Sequence, residues 1–136
     1  MRVFLDKNVL VSAFGARGLC ADVFRLVLAE HTLVTGEIVL EELRRVLRDR
    51  FKLPADTLEA ILGLLRENEV IPKPYRPSDI QVRDPDDQWI LASALAGEAD
   101  VLVTGDRDLL ELGEAAPPRI VDPRGFWNLV RKSAPA

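Results

Sequence analysis

Short apolar runs that end on an acid or a turn residue alternate along this chain with stretches whose apolar residues recur at helical spacing. Arg2-Val3-Phe4-Leu5 stops at Asp6, and a tight turn carrying Asp6 and Asn8 leads into residues 8–14, a helix-compatible segment. Gly15 and Gly18 flank a loop, after which residues 22–29 space their apolar side chains as an amphipathic helix does. Residues 32–35 read as a brief strand. Residues 38–50 then set Ile38, Val39, Leu43, Val46 and Leu47 on one helical face, with Glu41, Glu42, Arg44, Arg45 and Arg48 around it. Pro54 suits the first turn of a helix running to about residue 68 on Leu58, Ile61, Leu62 and Leu65, so these two helices read as an antiparallel hairpin. Glu69-Val70-Ile71 is a short strand candidate, and Pro72, Pro74 and Pro77 impose an extended connection up to Val82. Asp84-Pro85-Asp86-Asp87 places carboxylates at a helix start, and residues 89–96 form the helix body before Gly97. Val101-Leu102-Val103 is apolar throughout, as strands covered on both faces are, and residues 119–122 repeat the pattern more weakly before Pro123 opens a last helix. Strands separated by helices predict a parallel α/β sheet.

Composition removes alternatives rather than adding any. The 136 residues are 48% hydrophobic and 29% charged, an ordinary balance for one folded domain. No apolar run is long enough for a membrane-spanning helix, and the N-terminus reaches Asp6 too early for a signal peptide, so the expected location is the cytoplasm. One cysteine, Cys20, and one histidine, His31, exclude an internal disulfide, a thiolate cage and His-rich zinc chemistry; neither is assigned a role. There is no Gly-x-Gly-x-x-Gly and no phosphate loop.

The acids carry the chemistry. Ligand sites of open parallel sheets lie beyond the carboxyl ends of the strands, where this chain places Asp6 and Asp106. Asp87 opens the helix that precedes the second of these strands, and Glu42 lies on the polar side of its helix. Carboxylates without His or Cys are what a hard cation such as Mg²⁺ or Mn²⁺ takes. The chemistry suited to such a set is phosphodiester hydrolysis, in which metal charge activates water and stabilises the leaving oxygen. The net charge of −4 is no veto: with these four acids set aside, 18 acidic residues face 18 basic ones. Glu41 competes with Glu42, and Asp108 with Asp106, for one place each.

Four segments, Val3 to Ala13, Glu41 to Leu47, Arg83 to Ala92 and Ala99 to Leu110, occur in the order and at the spacing of the PIN-domain family. The chain resembles in particular the small prokaryotic members that are toxin components of toxin–antitoxin pairs, similar to the VapC ribonucleases. The resemblance implies a three-layer α/β/α fold with a central, mainly parallel twisted sheet, and residues 1–136 as a single PIN-like nuclease domain. It implies a metal-dependent endoribonuclease acting on single-stranded RNA, with Asp6, Glu42, Asp87 and Asp106 as catalytic and metal-binding quartet. Asn8, Asp84, Thr104 and Asp108 are candidates for supporting positions, and Lys7, Arg44, Arg45 and Arg48 for RNA contacts. Lys7 stands where the family often has Thr or Ser, which puts a cation beside the acids. Further implied partners are a small antitoxin protein and a second copy of the chain. The dimer also has a basis in the residues, since Val39, Leu43, Leu58, Leu62 and Leu65 exceed what one side of a helical hairpin needs.

Competing readings differ at identifiable residues. A phospho-receiver needs paired acids after the first strand, and a haloacid-dehalogenase-like phosphatase needs a second acid two residues after its nucleophile; Asp6 is followed by Lys7 and Asn8. A PIN-like domain that binds RNA or protein without cutting is the remaining alternative, and the four acids argue against it. Trp89 and Trp127 are expected in the core or an interface rather than as stacking platforms, because such platforms sit among cations.

Overall fold

The structure, a computed structural model, describes residues 1–113 and 118–133. Five strands form one parallel sheet: β1 (Arg2–Leu5), β2 (Thr32–Gly36), β3 (Glu69–Ile71), β4 (Val101–Val103) and β5 (Arg119–Val121), in the order β3-β2-β1-β4-β5. Val101, Leu102 and Val103 are all buried although successive side chains point to opposite faces, so helices cover both sides of the sheet. The helices are α1 (Lys7–Gly15), α2 (Leu19–Glu30), α3 (Glu37–Arg45), α4 (Ala55–Arg66), α5 (Pro85–Ala96), α6 (Arg107–Leu110) and α7 (Pro123–Ser133). Among the described residues no helix is long and apolar enough to cross a membrane.

The strand order puts a switch point in the middle of the sheet. The chain moves outward from β1 through β2 to β3, then returns to the other side of β1 with β4. Val3, Phe4 and Leu5 pair with Val101, Leu102 and Val103, and the amide of Asp6 extends the ladder by donating to Val103 O at 3.0 Å. The carboxyl ends of β1 and β4 are thereby held side by side, at the place where parallel sheets open a crevice.

Close packing delivers two more helices to that crevice. Gly36 ends β2 and begins α3, and a Cβ there would collide with the Ser93 hydroxyl of α5. Only glycine lets β2 and α5 approach so closely, which brings the start of α5 beside α3.

Several elements differ from the sequence reading. Residues 38–50 do not form one α-helix: α3 ends at Arg45 and continues as a π-helical turn, Val46–Arg50, with Phe51 N donating to Val46 O at 3.2 Å. Helix α2 starts at Leu19, three residues before Asp22, and the short α6 is not foreshadowed by any apolar period. Asn8 lies within α1 and is exposed rather than forming the turn. The apolar patch offered for dimerisation is absent as a surface: Val39, Leu43, Leu58, Leu62 and Leu65 are all buried in the monomer's own core. The hairpin packs them against the sheet and against each other, so their surplus over a two-helix interface is consumed internally.

Candidate metal centre

Each carboxylate at the crevice is fixed by a local backbone device. Asp6 terminates β1 and caps α1, with Oδ1 accepting from the Lys7 amide at 2.7 Å. Its Oδ2 accepts from the buried Thr104 hydroxyl, also at 2.7 Å. Thr104 Oγ1 in turn accepts from the Asp106 amide at 3.0 Å. One hydroxyl therefore ties the ends of β1 and β4 together and sets both strand-end acids at once. Asp106 caps α6, one of its oxygens accepting from the amides of Asp108 at 2.8 Å and Leu109 at 3.4 Å. Asp84 caps α5 by accepting from the Asp86 amide at 3.0 Å, which leaves Asp87 in the first turn, turned inward and buried.

The result is a dense group of acids. Asp87, Asp106 and Asp108 each present a carboxylate oxygen within 4.8 Å of the others. Asp6 adjoins this group closely enough that it feels the charge of Asp106, and Asp87 feels the charge of Asp6. Glu42 stands further along α3, half-buried, with Lys7 Nζ 3.5 Å from its Oε2. Glu41 is exposed, one position round the helix, on the wall of a neighbouring cavity. Asp106 and Asp108 do not exclude each other, since both enter the tight group.

Burial and mutual repulsion push these carboxyls up. Asp87 rises from 3.8 to about 7, first because burial disfavours its charge and then because Asp106, Asp84 and Asp6 repel it. Asp6 is raised by burial, against the opposing hydrogen bonds from Thr104 and the Lys7 amide. Glu42 is raised by burial too, with Lys7 opposing the shift. Among the described residues the buried Asp87 Oδ2 has no hydrogen-bond partner, and its carboxylate neighbours have no proton to give while ionised. A proton or a cation satisfies it. A hard divalent cation fits this donor set, which is all carboxylate oxygen.

The candidate RNA contacts divide. Arg44 pairs with Glu59 at 2.6 Å and Arg48 with Asp49 at 2.7 Å, whereas Arg45 faces the cavity beside Glu42. The sequence reading passed over three charged residues near the acids. Arg83 reaches Asp108 at 3.9 Å, Asp86 raises Glu42, and Lys73 lies over the Trp89 ring. Asp86 is legible as the second acid of the helix start; Lys73 sits in the proline-rich connection, where no periodicity points at it.

A parallel sheet with acids gathered at its switch point defines a class of α/β proteins, and sequence comparison narrows the class to one family. The PIN domain family profile matches residues 2–108, and the chain belongs to the PIN-domain family. Among solved structures, VapBC2 from Rickettsia felis, crystallised bound to a DNA fragment from their promoter, is similar with a TM-score of 0.62 at 18% identity. The match covers 90% of this chain and 98% of that one, and shows a shared fold. No curated protein sequence matches the chain.

Proposed function

We propose that residues 1–136 form a single nuclease domain that hydrolyses phosphodiester bonds of single-stranded RNA with Mg²⁺ or Mn²⁺, using Asp6, Glu42, Asp87 and Asp106. The observation that carries the reading is the buried Asp87 Oδ2, which lacks a donor among three neighbouring acids. A fold that gathers carboxylates this way, with one exposed guanidinium at 3.9 Å from Asp108, is suited to receive a cation. The cation supplies the positive charge that an attacking water and a departing oxygen require. Asp6, locked by Thr104 and the Lys7 amide, and Asp106, locked by its cap, are ligands whose orientation is fixed before any metal arrives. Asp108 supports them from α6 and Asp84 from the α5 cap, while Lys7 offsets part of the charge at Glu42. Asn8 plays a peripheral part at the exposed start of α1.

Family membership and the likeness to VapBC2 support a toxin-like nuclease with a small antitoxin partner; action on RNA in the cytoplasm and a homodimeric state are parts of the same proposal. The deciding experiment incubates the protein with single-stranded RNA and Mg²⁺ or Mn²⁺. Cleavage that stops in excess chelator and in Asp6→Asn is expected. Unchanged cleavage in chelator would refute the metal, and no cleavage with either metal would favour a PIN-like domain that only binds.

A further inference from the structure

Beside the carboxylate group lies a cavity of about 320 Å³ with Trp89 and Asp86 of α5, Lys73 of the proline-rich connection, and Arg45, Glu41 and Glu42 of α3 on its walls. Lys73 Nζ lies 5.6 Å from the centre of the Trp89 ring, a cation–π distance. The two tryptophans differ in setting: Trp127 packs against the hydrophobic core, whereas Trp89 is half-buried with its ring at the cavity. A half-buried aromatic ring with one cation over its face and a second on the same wall, beside carboxylates that a metal would neutralise, can stack a base and hold its phosphate. We propose that this cavity is the subsite for the nucleotide adjoining the cleaved bond of single-stranded RNA, with Trp89 stacking its base and Lys73 and Arg45 taking its phosphate.

The inference rests on the nuclease reading and adds to it the place where the substrate is gripped. Glu42 belongs to both regions, since it lines the cavity and feels the charge of Asp6. A base entering the cavity displaces Lys73 from the ring, and the freed ammonium turns to the phosphate, so one cation serves the free and the bound state. Arg45 has the same opportunity because it lines the cavity, whereas Arg44 and Arg48 are paired with acids of their own. Stacking tolerates any base, so the subsite supplies grip and register rather than sequence choice.

The test needs no cleavage. In a Trp127→Phe background Trp89 is the sole tryptophan, and a labelled ten-nucleotide single-stranded RNA is titrated in chelator at low salt. Saturable quenching of Trp89 emission is expected, in step with the anisotropy of the RNA label. In the otherwise unaltered protein, Trp89→Ala should weaken binding roughly tenfold, while Trp89→Phe keeps most of it because the stack survives. Lys73→Gln, an exposed change that does not threaten the fold, should weaken binding several-fold and lower the salt slope by about one. RNA that binds without quenching Trp89, or that binds Trp89→Ala, Lys73→Gln and wild type alike, would overturn the subsite, as would no binding at all. Cleavage with Mg²⁺ or Mn²⁺ alongside unquenched Trp89 would leave the nuclease reading standing alone. Quenching without cleavage under either metal would do the reverse.

Discussion

Acids on the outside of the helical hairpin and acids at the strand ends are treated in opposite ways by the same chain. On the outside, Glu37 faces Arg66, Glu59 faces Arg44 and Asp49 faces Arg48, as Glu69 at the start of β3 faces Arg2 at the start of β1, and each carboxyl is held below its ordinary range chiefly by its guanidinium. At the strand ends, Asp6, Glu42 and Asp87 are raised, chiefly by burial. The cations nearest these acids are few: Lys7 at Glu42, and Arg83 on the outer side of Asp108 at 3.9 Å. Arginine is thus placed where a carboxylate needs only local balance. Among the described residues no arginine pairs with the buried Asp6 or Asp87, where a fixed guanidinium would compete with any metal.

The contrast breaks most completely if an inner acid is made neutral. Asp87→Asn should lower RNA cleavage a hundredfold or more, about 3 kcal/mol in the barrier, because a ligand is lost. The same change should stabilise the metal-free protein, since the buried carboxylate without a donor becomes an amide that can donate to Asp106. Activity assays and metal-free thermal melts on one preparation check both halves, and a metal-free Tm below wild type would contradict the repulsion. Next in size comes Thr104→Val, which removes the hydroxyl joining Asp6 Oδ2 to the Asp106 amide. Metal affinity should fall roughly tenfold, as when other supports of a ligand are removed. Calorimetric titration with Mn²⁺ measures it, and unchanged affinity would mean that the caps alone fix the ligands.

Acidity separates the two regions without mutation. In the metal-free fold Asp87 keeps its proton up to about pH 7, whereas the unfolded chain releases it near 3.8. Between those values the folded state binds more protons, so the contribution of Asp87 to stability falls as pH rises from about 4 to about 7. The outer carboxyls have lowered values, so their contribution is present above the ordinary carboxylate range and is lost as pH falls through it. The metal-free Tm should therefore climb as pH is lowered from about 7.5 towards 5, then drop at more acidic values. Asp87→Asn should flatten the climb and leave the drop. Metal affinity should increase with pH through about 7 as the proton leaves.

How much of this was readable beforehand follows from what periodicity encodes. Every strand stood out because a run such as Val101-Leu102-Val103 has to be apolar on both faces, and the acids at the ends of β1 and β4 were visible as abrupt polar stops. The start of α5 was visible through Asp84 and Pro85, a cap and a first-turn proline. The π-helical turn after Arg45 was not, because its apolar spacing differs too little from that of an α-helix. Nor could spacing show that Val39 and Leu62 would be covered by the monomer's own sheet rather than by a second copy. The sequence, with no cations near Trp89, points to the core or an interface, yet Lys73, 16 positions earlier, is brought over its ring by the fold. Such a cation is invisible to any local pattern, as is Thr104's double hydrogen bond across two strands.

The smallest expected effect belongs to the outer pairs, and it tests whether the contrast is one of function or only of position. Arg66 donates through Nη1 and Nη2 to the two oxygens of Glu37 at 2.8 and 3.0 Å, joining the last turn of α4 to the first turn of α3. The geometry is bidentate, and each charge also opposes the dipole of its own helix. Even so, both side chains are well exposed, and such pairs contribute about 0.2–1 kcal/mol, less at high salt. Arg66→Ala should lower the Tm by a few degrees at most, with the deficit shrinking in 0.5 M NaCl, and should leave cleavage and metal affinity unchanged. Denaturation curves at two salt concentrations measure the deficit. A large loss that persists in salt would mean that Arg66 supports the hairpin by packing its stem rather than by its charge. A change in metal affinity would mean that the two sets of acids communicate through α3, and the division between them would have to be redrawn.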